Sequence, residues 1–230
     1  RLEDVEISSA SQKVVAKGIQ ASQISDNIKR MLLFIEECKK HNQNTISVYA
    51  ASFVIHYIFV HIHPYYDGNG RMARLISQWF IFNNNIEYTL PISELIKYDK
   101  LKYYDAIQNS RNSFVKTDIT YFLKYMFSAS LKLMEAKLIA SKYTFKLMND
   151  EIIISDLEKE YLIMILLNYK DDKFDHKKFN ALLKIVDSEK SKEGTLKILN
   201  KLVDQKVLKA KIIKKTKLFE LVDEIKEIEV

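Results

Sequence analysis

Residues 63 to 74 read His-Pro-Tyr-Tyr-Asp-Gly-Asn-Gly-Arg-Met-Ala-Arg. An imidazole, a carboxylate, two glycines and two guanidinium groups therefore stand within twelve positions. Gly68 and Gly70 have no Cβ, so the backbone there can turn tightly and come close to a ligand. Successive N–H groups at such a turn, where a helix opens, cradle an anion. Arg71 and Arg74 are three apart and share a helix face. Each can grip phosphate oxygens through paired hydrogen bonds. Asp67 is a hard oxygen donor of the kind Mg²⁺ uses when it bridges protein and polyphosphate. His63 is the side chain suited to take a proton from a hydroxyl near neutral pH. The chemistry implied is phosphoryl or nucleotidyl transfer. Taken singly, the parts have plainer readings: a structural histidine, a turn, a solvated arginine face. Their order within one short segment favours a phosphate site.

The surrounding pattern places this segment between two helices. Apolar spacing predicts a helix over 23–40 and a second, apolar almost throughout, over 45–59. Pro64 breaks that pattern, and a third helix is expected from Gly70 to Phe82. Two more are expected over 93–111 and 118–143, with Asp118 and Thr120 as capping residues. Ahead of them, Val5-Glu6-Ile7 and Val14-Val15 flank a Ser-rich turn and predict a β-hairpin. Past residue 150 the pattern predicts helices over 158–169, 177–186 and 189–205, then strands over 206–214 and 218–222. Three helices and a hairpin is the order of a winged helix. The expected fold class is mainly α, with one domain over 1–148 and a second over 149–230.

Composition narrows the classes. At 47% hydrophobic and 29% charged, the 230 residues describe a globular protein, not a disordered one. A net charge of +6 suits anionic ligands without requiring them. Cys38 is the single cysteine, so no internal disulfide can form and a reducing cytoplasm is expected. No membrane association is expected, because no apolar run approaches about 20 residues. The chain begins at Arg1 without a methionine, so a missing N-terminal part is expected.

At this point the segment resembles the signature of the Fic proteins, His-x-Phe-x-(Asp/Glu)-Gly-Asn-Gly-Arg-x-x-Arg. Every position matches except the Phe, which is Tyr65 here. Ala50-Ala51 and His56 before it, and Tyr103-Tyr104-Asp105-Ala106-Ile107 and Asp118-Ile119-Thr120 after it, extend the likeness to roughly residues 1–130. The resemblance implies AMP transfer from ATP to a Tyr, Thr or Ser hydroxyl of a target protein, with pyrophosphate released. It implies His63 as general base and Asp67 as the Mg²⁺ ligand. Gly68, Asn69 and Gly70 would line the anion hole, with Asn69 toward the α-phosphate. Arg71 and Arg74 would take the outer phosphates, and the hairpin at 5–17 would position the target. Tyr103 and Tyr104 are candidates for adenine contact, with packing as the equal alternative. Relatives transferring UMP, phosphocholine or phosphate keep those groups open as alternatives. Many relatives resemble one another in carrying Ser/Thr-x-x-x-Glu-(Gly/Asn), whose glutamate pairs with the arginine corresponding to Arg74. The one Glu-Gly here, Glu193-Gly194, follows Glu189 at the Ser/Thr position. The expectation is an inhibitory segment upstream of Arg1 or on another protein, and an unrestrained Arg74.

Other features weigh less. His61 and His63 are close enough to suggest a metal, but no third ligand is evident. His56, on an apolar helix, reads as a hydrogen-bonded core histidine. Leu75, Ile76, Trp79, Phe80 and Phe82 read as core. Cys38 has no activating partner and reads as structural. Residues 151–230 hold 17 Lys, no Arg and 16 acids, about +1 net. DNA-binding domains are usually more basic and read bases with Arg. The exception is the run 206–217, with six lysines and no acid. It could be a basic wing or a lysine-protected hairpin edge. The alternative to an enzyme is therefore a nucleotide-sensing, DNA-binding regulator. The readings ranked above it are a protein-contact or homodimer role for the second domain, and catalysis in the first.

Overall fold

A computed structural model describes residues 1–8, 14–41, 44–86, 88, 90–111, 118–186, 188–213 and 216–229. They are mainly helical and fall into two compact units. The first is Arg1–Glu94 with Leu101–Ser128, and the second is Leu95–Lys100 with Ala129–Val230.

The first unit opens with an antiparallel hairpin of β1 (Glu6–Ser8) and β2 (Val14–Lys17), in which Glu6 pairs with Lys17. The predicted turn between them lies outside the described residues. Three helices follow: α1 (Ile24–His41), α2 (Thr45–Ile62) and α3 (Asn69–Phe82). The Asn44 side chain accepts from the Ser47 N–H at 2.8 Å and starts α2. By length and composition α2 could cross a membrane, with mean hydropathy 1.6 over 18 residues. Half of it is buried within the protein, as in a core helix. Its Ala51, Ile55, Phe59 and Ile62 pack with Met31 and Ile35 of α1 and Ala73, Phe80 and Ile81 of α3. That interlock fixes both ends of the segment between α2 and α3.

The single helix predicted over 93–111 is two, α4 (Ile92–Tyr98) and α5 (Lys100–Arg111). They part at Asp99, a poor helix former. Next comes α6 (Thr120–Asn149), 30 residues long, whose start is held by Asp118 Oδ1 accepting from the Thr120 N–H at 2.9 Å. The two units divide within this helix, at 128/129.

The second unit adds α7 (Asp156–Tyr169), α8 (His176–Ile185), α9 (Lys192–Asp204), an antiparallel hairpin of β3 (Leu208–Ile213) and β4 (Thr216–Leu221), and a short α10 (Asp223–Lys226). The third of these helices begins later than predicted because Ser191 caps it, accepting from the Gly194 N–H at 3.1 Å. Phe174 exchanges both backbone hydrogen bonds with Phe219, adding a third strand-like position to the hairpin. Glu158 ties α7 to α9. It is buried, accepts from the Ser155 N–H and from Gln205, and pairs with Lys201. Burial alone would raise its pKa, but these donors, Lys201 first, pull it down to about 2.

Candidate active site

α2 ends at His63. There the backbone turns left-handed, φ 52° and ψ 58°, while the His63 N–H still donates to the Phe59 carbonyl at 3.0 Å. For a residue bearing a Cβ this conformation costs of order 1–2 kcal/mol. Strain of this kind is concentrated at functional positions. Pro64, which is buried, prevents further helix. Ahead of it, the Arg1 side chain donates through Nε to the His63 carbonyl at 2.9 Å and also reaches the Ile19 carbonyl.

The loop that follows is held by Asn69. Its Oδ1 accepts from the Tyr65 N–H at 3.0 Å and its Nδ2 donates to the Tyr65 carbonyl at 2.8 Å. The side chain is therefore occupied within the loop and buried. Gly68 takes φ 82° and is the N-cap of α3. It has no side chain to cap the helix. The Met72 N–H finds the Gly68 carbonyl at 2.9 Å. Among the described residues, no acceptor meets the N–H groups of Asn69, Gly70 or Arg71, which precede it. They are the free donors of a helix N-terminus, where the helix dipole favours negative charge.

Two guanidinium groups fold back onto this terminus, as helical side chains lean toward the N-terminal end. A Cβ placed on Gly68 would lie 3.6 Å from Arg71 Nη2, and one on Gly70 would lie 3.6 Å from Arg74 Nη1. Arg71 also donates to Asp67 Oδ2 at 3.0 Å, with both side chains exposed. Arg74 is half-buried and has no carboxylate partner among the described residues.

His63 is half-buried beside the loop. Its Nδ1 is buried without a hydrogen-bond partner. Burial holds the imidazole pKa below its usual value. The Val60 carbonyl works against that, and the Arg111 and Arg1 cations reinforce it. Arg111 was not foreseen. It arrives from the C-terminus of α5 and donates through Nη2 to the Val60 carbonyl at 3.1 Å. That carbonyl therefore favours the protonated imidazole electrostatically while its hydrogen bond goes to Arg111. A compositional signal for Arg111 existed. Only five of the 36 basic residues are arginine, and four of those five, Arg1, Arg71, Arg74 and Arg111, gather around this loop. Arginine is the choice where planar, bidentate recognition of phosphate matters.

Behind the loop, His56 is fully buried and its Nε2 lies 2.8 Å from the Tyr103 hydroxyl. Burial, aided by the Arg74 cation, lowers the His56 pKa to about 3. The histidine is therefore neutral and adds no positive charge beside Arg74. Tyr103 is buried in this pair, whereas Tyr104 is half exposed with its ring 5.4 Å from that of Tyr103. His61 stacks on Tyr57. Tyr65 and Tyr66 are exposed. The predicted core stripe on α3 holds only in part. Phe80 is buried, but Leu75, Trp79 and Phe82 are exposed, and Lys39 sits 4.7 Å over the Trp79 ring. The reason is that α3 offers one face to α2, and these three lie off it.

Among the described residues, no three His, Cys, Asp or Glu side chains converge on one point. The arrangement offers an anion cradle, two flanking guanidinium groups, one accessible carboxylate and one neutral imidazole.

Comparison with known proteins finds sequence similarity over the segment that holds this loop. Residues 3–81 match the sequence model of the Fic/DOC family. A Fido domain-containing protein of Dictyostelium discoideum is 35% identical over 66 residues, 28% of this chain and 46% of that protein. The chain thus spans about half the length of this curated relative.

Proposed function

We propose, on the premise that residues 3–81 are a Fic/DOC-type segment, that the chain is a protein adenylyltransferase. It moves AMP from ATP to a Tyr, Thr or Ser hydroxyl of a target protein. The hydroxyl oxygen bonds to the α-phosphorus, the bond from that phosphorus to the bridging oxygen breaks, and pyrophosphate leaves. The proton goes to His63. With Nδ1 buried, Nε2 is the nitrogen left to receive it. His63 is mostly neutral at neutral pH because its pKa is lowered, which a base requires.

The observation that carries the reading is the α3 N-terminus. The N–H groups of Asn69, Gly70 and Arg71 have no acceptor among the described residues, and two guanidinium groups lie on the loop glycines. Polyphosphate is the ligand such a site suits. Asn69 contributes there through its backbone, since its carboxamide is committed to Tyr65. Arg71 and Arg74 hold the outer phosphates.

Mg²⁺ fits this residue set as a companion of the nucleotide. It keeps several waters and typically takes one or two carboxylates plus substrate phosphates. Asp67 is one exposed carboxylate beside the cradle. When bound, the ion would neutralise phosphate charge. Tyr104 remains open to an adenine ring, whereas Tyr103 is turned to His56.

The helix order of the second unit, with Phe174 bridging to the hairpin, supports a winged helix. Its lysines do not favour a DNA role. Lys209 pairs with Asp223 at 2.8 Å, and over 151–230 the 17 lysines stand against 16 acids, so little net positive charge is left for phosphates. The single thiol suits a cytoplasmic setting.

The test is incubation of the purified chain with Mg-ATP and candidate targets, followed by intact-mass and peptide mass spectrometry. The added mass identifies the group, whether AMP, UMP, phosphocholine or phosphate. A nucleotide sensor would bind ATP and leave no covalent label.

A further inference from the structure

α6 carries two apolar stripes on opposite faces. Leu133, Ala136, Ile139, Ala140, Tyr143 and Leu147 are buried. Leu131, Met134, Leu138, Phe145 and Met148 are between 42% and 68% exposed. With Ser141 filling the gap, the exposed positions run 131, 134, 138, 141, 145, 148. Steps of three and four alternate, which is the repeat of a coiled-coil seam. Isolated exposed apolar side chains are ordinary, but a continuous exposed seam marks an interaction surface. All six positions belong to the second unit.

We propose that this seam joins two copies of the chain, with their α6 helices antiparallel about a two-fold axis. The charges flanking the seam point to that occupant and that direction. Glu135 and Lys142 follow the seam residues Met134 and Ser141 on one side, and Lys137 precedes Leu138 on the other. An antiparallel alignment sets Leu131 against Met148 of the second copy, Met134 against its Phe145, and Leu138 against its Ser141. Glu135 then meets Lys142 of the second copy, twice by symmetry, while Lys137 faces the neutral Thr144. A parallel alignment sets Lys137 against Lys142 instead, and like charges across a seam disfavour pairing. The patch is thus self-complementary in one direction, as a two-fold interface requires. Lys142 Nζ rests on the exposed Glu229 carbonyl at 2.7 Å, a bond it can exchange. The seam is about 27 Å long, so association should depend on concentration.

The test is sedimentation equilibrium of the 230-residue chain across the micromolar range, where a monomer–dimer equilibrium is expected. Leu138→Glu should give monomer, with an unchanged helical circular-dichroism spectrum showing that the chain is folded. Glu135→Lys and Lys142→Glu should each weaken the dimer about tenfold. The double variant Glu135→Lys/Lys142→Glu should restore it. A monomer throughout the range would overturn the proposal, whatever else covers the seam. So would a dimer indifferent to Leu138→Glu. Failure of the double variant to recover affinity would overturn the antiparallel register.

Discussion

The Asn69 carboxamide closes on both backbone polar groups of Tyr65, accepting at 3.0 Å and donating at 2.8 Å. One buried side chain therefore sets the curvature of the loop that presents three free N–H groups. Asn69→Ala removes both bonds and leaves the Tyr65 groups without a protein partner. The expected loss is about 1–3 kcal/mol of stability. Activity should fall with it, since the cradle loses its shape. Urea unfolding of the variant at neutral pH measures the first effect. An unfolding free energy equal to wild type would show that the loop holds itself without the clasp.

His63→Ala should abolish transfer while leaving ATP affinity nearly unchanged. The base acts only as the target hydroxyl attacks, so it contributes to the transition state and not to nucleotide binding. Loss of a general base typically costs about 10² to 10⁴ in rate. Calorimetric titration with ATP beside a labelling assay separates the two. Transfer at wild-type rate would remove His63 from the mechanism.

The acidic limb of the pH–rate profile should lie below the ordinary histidine value of 6.5, because burial and the Arg111 and Arg1 cations lower the His63 pKa. Removing a cation favours the protonated imidazole, so Arg111→Met should move that limb upward. The profile of kcat/KM reads the free enzyme directly. A limb unmoved in a variant with an unchanged melting temperature would leave Arg111 a packing role only.

Asp67→Ala should leave stability within experimental error, because the Asp67–Arg71 pair is exposed on both sides and such pairs contribute little. The same change should raise the Mg²⁺ concentration needed for half-maximal transfer and slow the reaction. An identical Mg²⁺ titration would exclude the carboxylate as a ligand.

His56 should make the fold acid-sensitive. Its pKa is lowered to about 3 in the folded chain against 6.5 unfolded, so below pH 6.5 only the unfolded chain takes up the proton. Stability is therefore lost as pH falls, by about 1.4 kcal/mol for each unit between 6.5 and the folded value. His56→Gln should flatten that slope. Urea midpoints at pH 7, 6 and 5 measure it, and parallel slopes in the two proteins would contradict the assignment.

The motif was legible because its parts are adjacent in the chain. A proline, two glycines and a helix start are local signals, and local geometry follows from φ preferences and missing Cβ atoms. The helices were legible for the same reason, except at Asp99, at Ser191 and at the end of α6, which runs to Asn149 and not to 143. At Asp99 and Ser191 a single residue ended one element or started another, and periodicity does not resolve this.

Sequence alone pointed to the type of site. It showed which residues could meet a phosphate, that an imidazole lay beside them, and that the chain was mostly helical with a change of character near residue 150. Tertiary structure decided how those residues are placed. It turned Asn69 inward to Tyr65, brought Arg111 to the Val60 carbonyl beside His63, and buried Tyr103 on His56 while leaving Tyr104 half exposed. It also left Trp79 and the α6 seam in the open. The physical reason is separation along the chain. Residues a few positions apart are placed by the backbone itself. His56 and Tyr103, or Val60 and Arg111, meet only after helices have packed, and which face of a helix is covered depends on its neighbours.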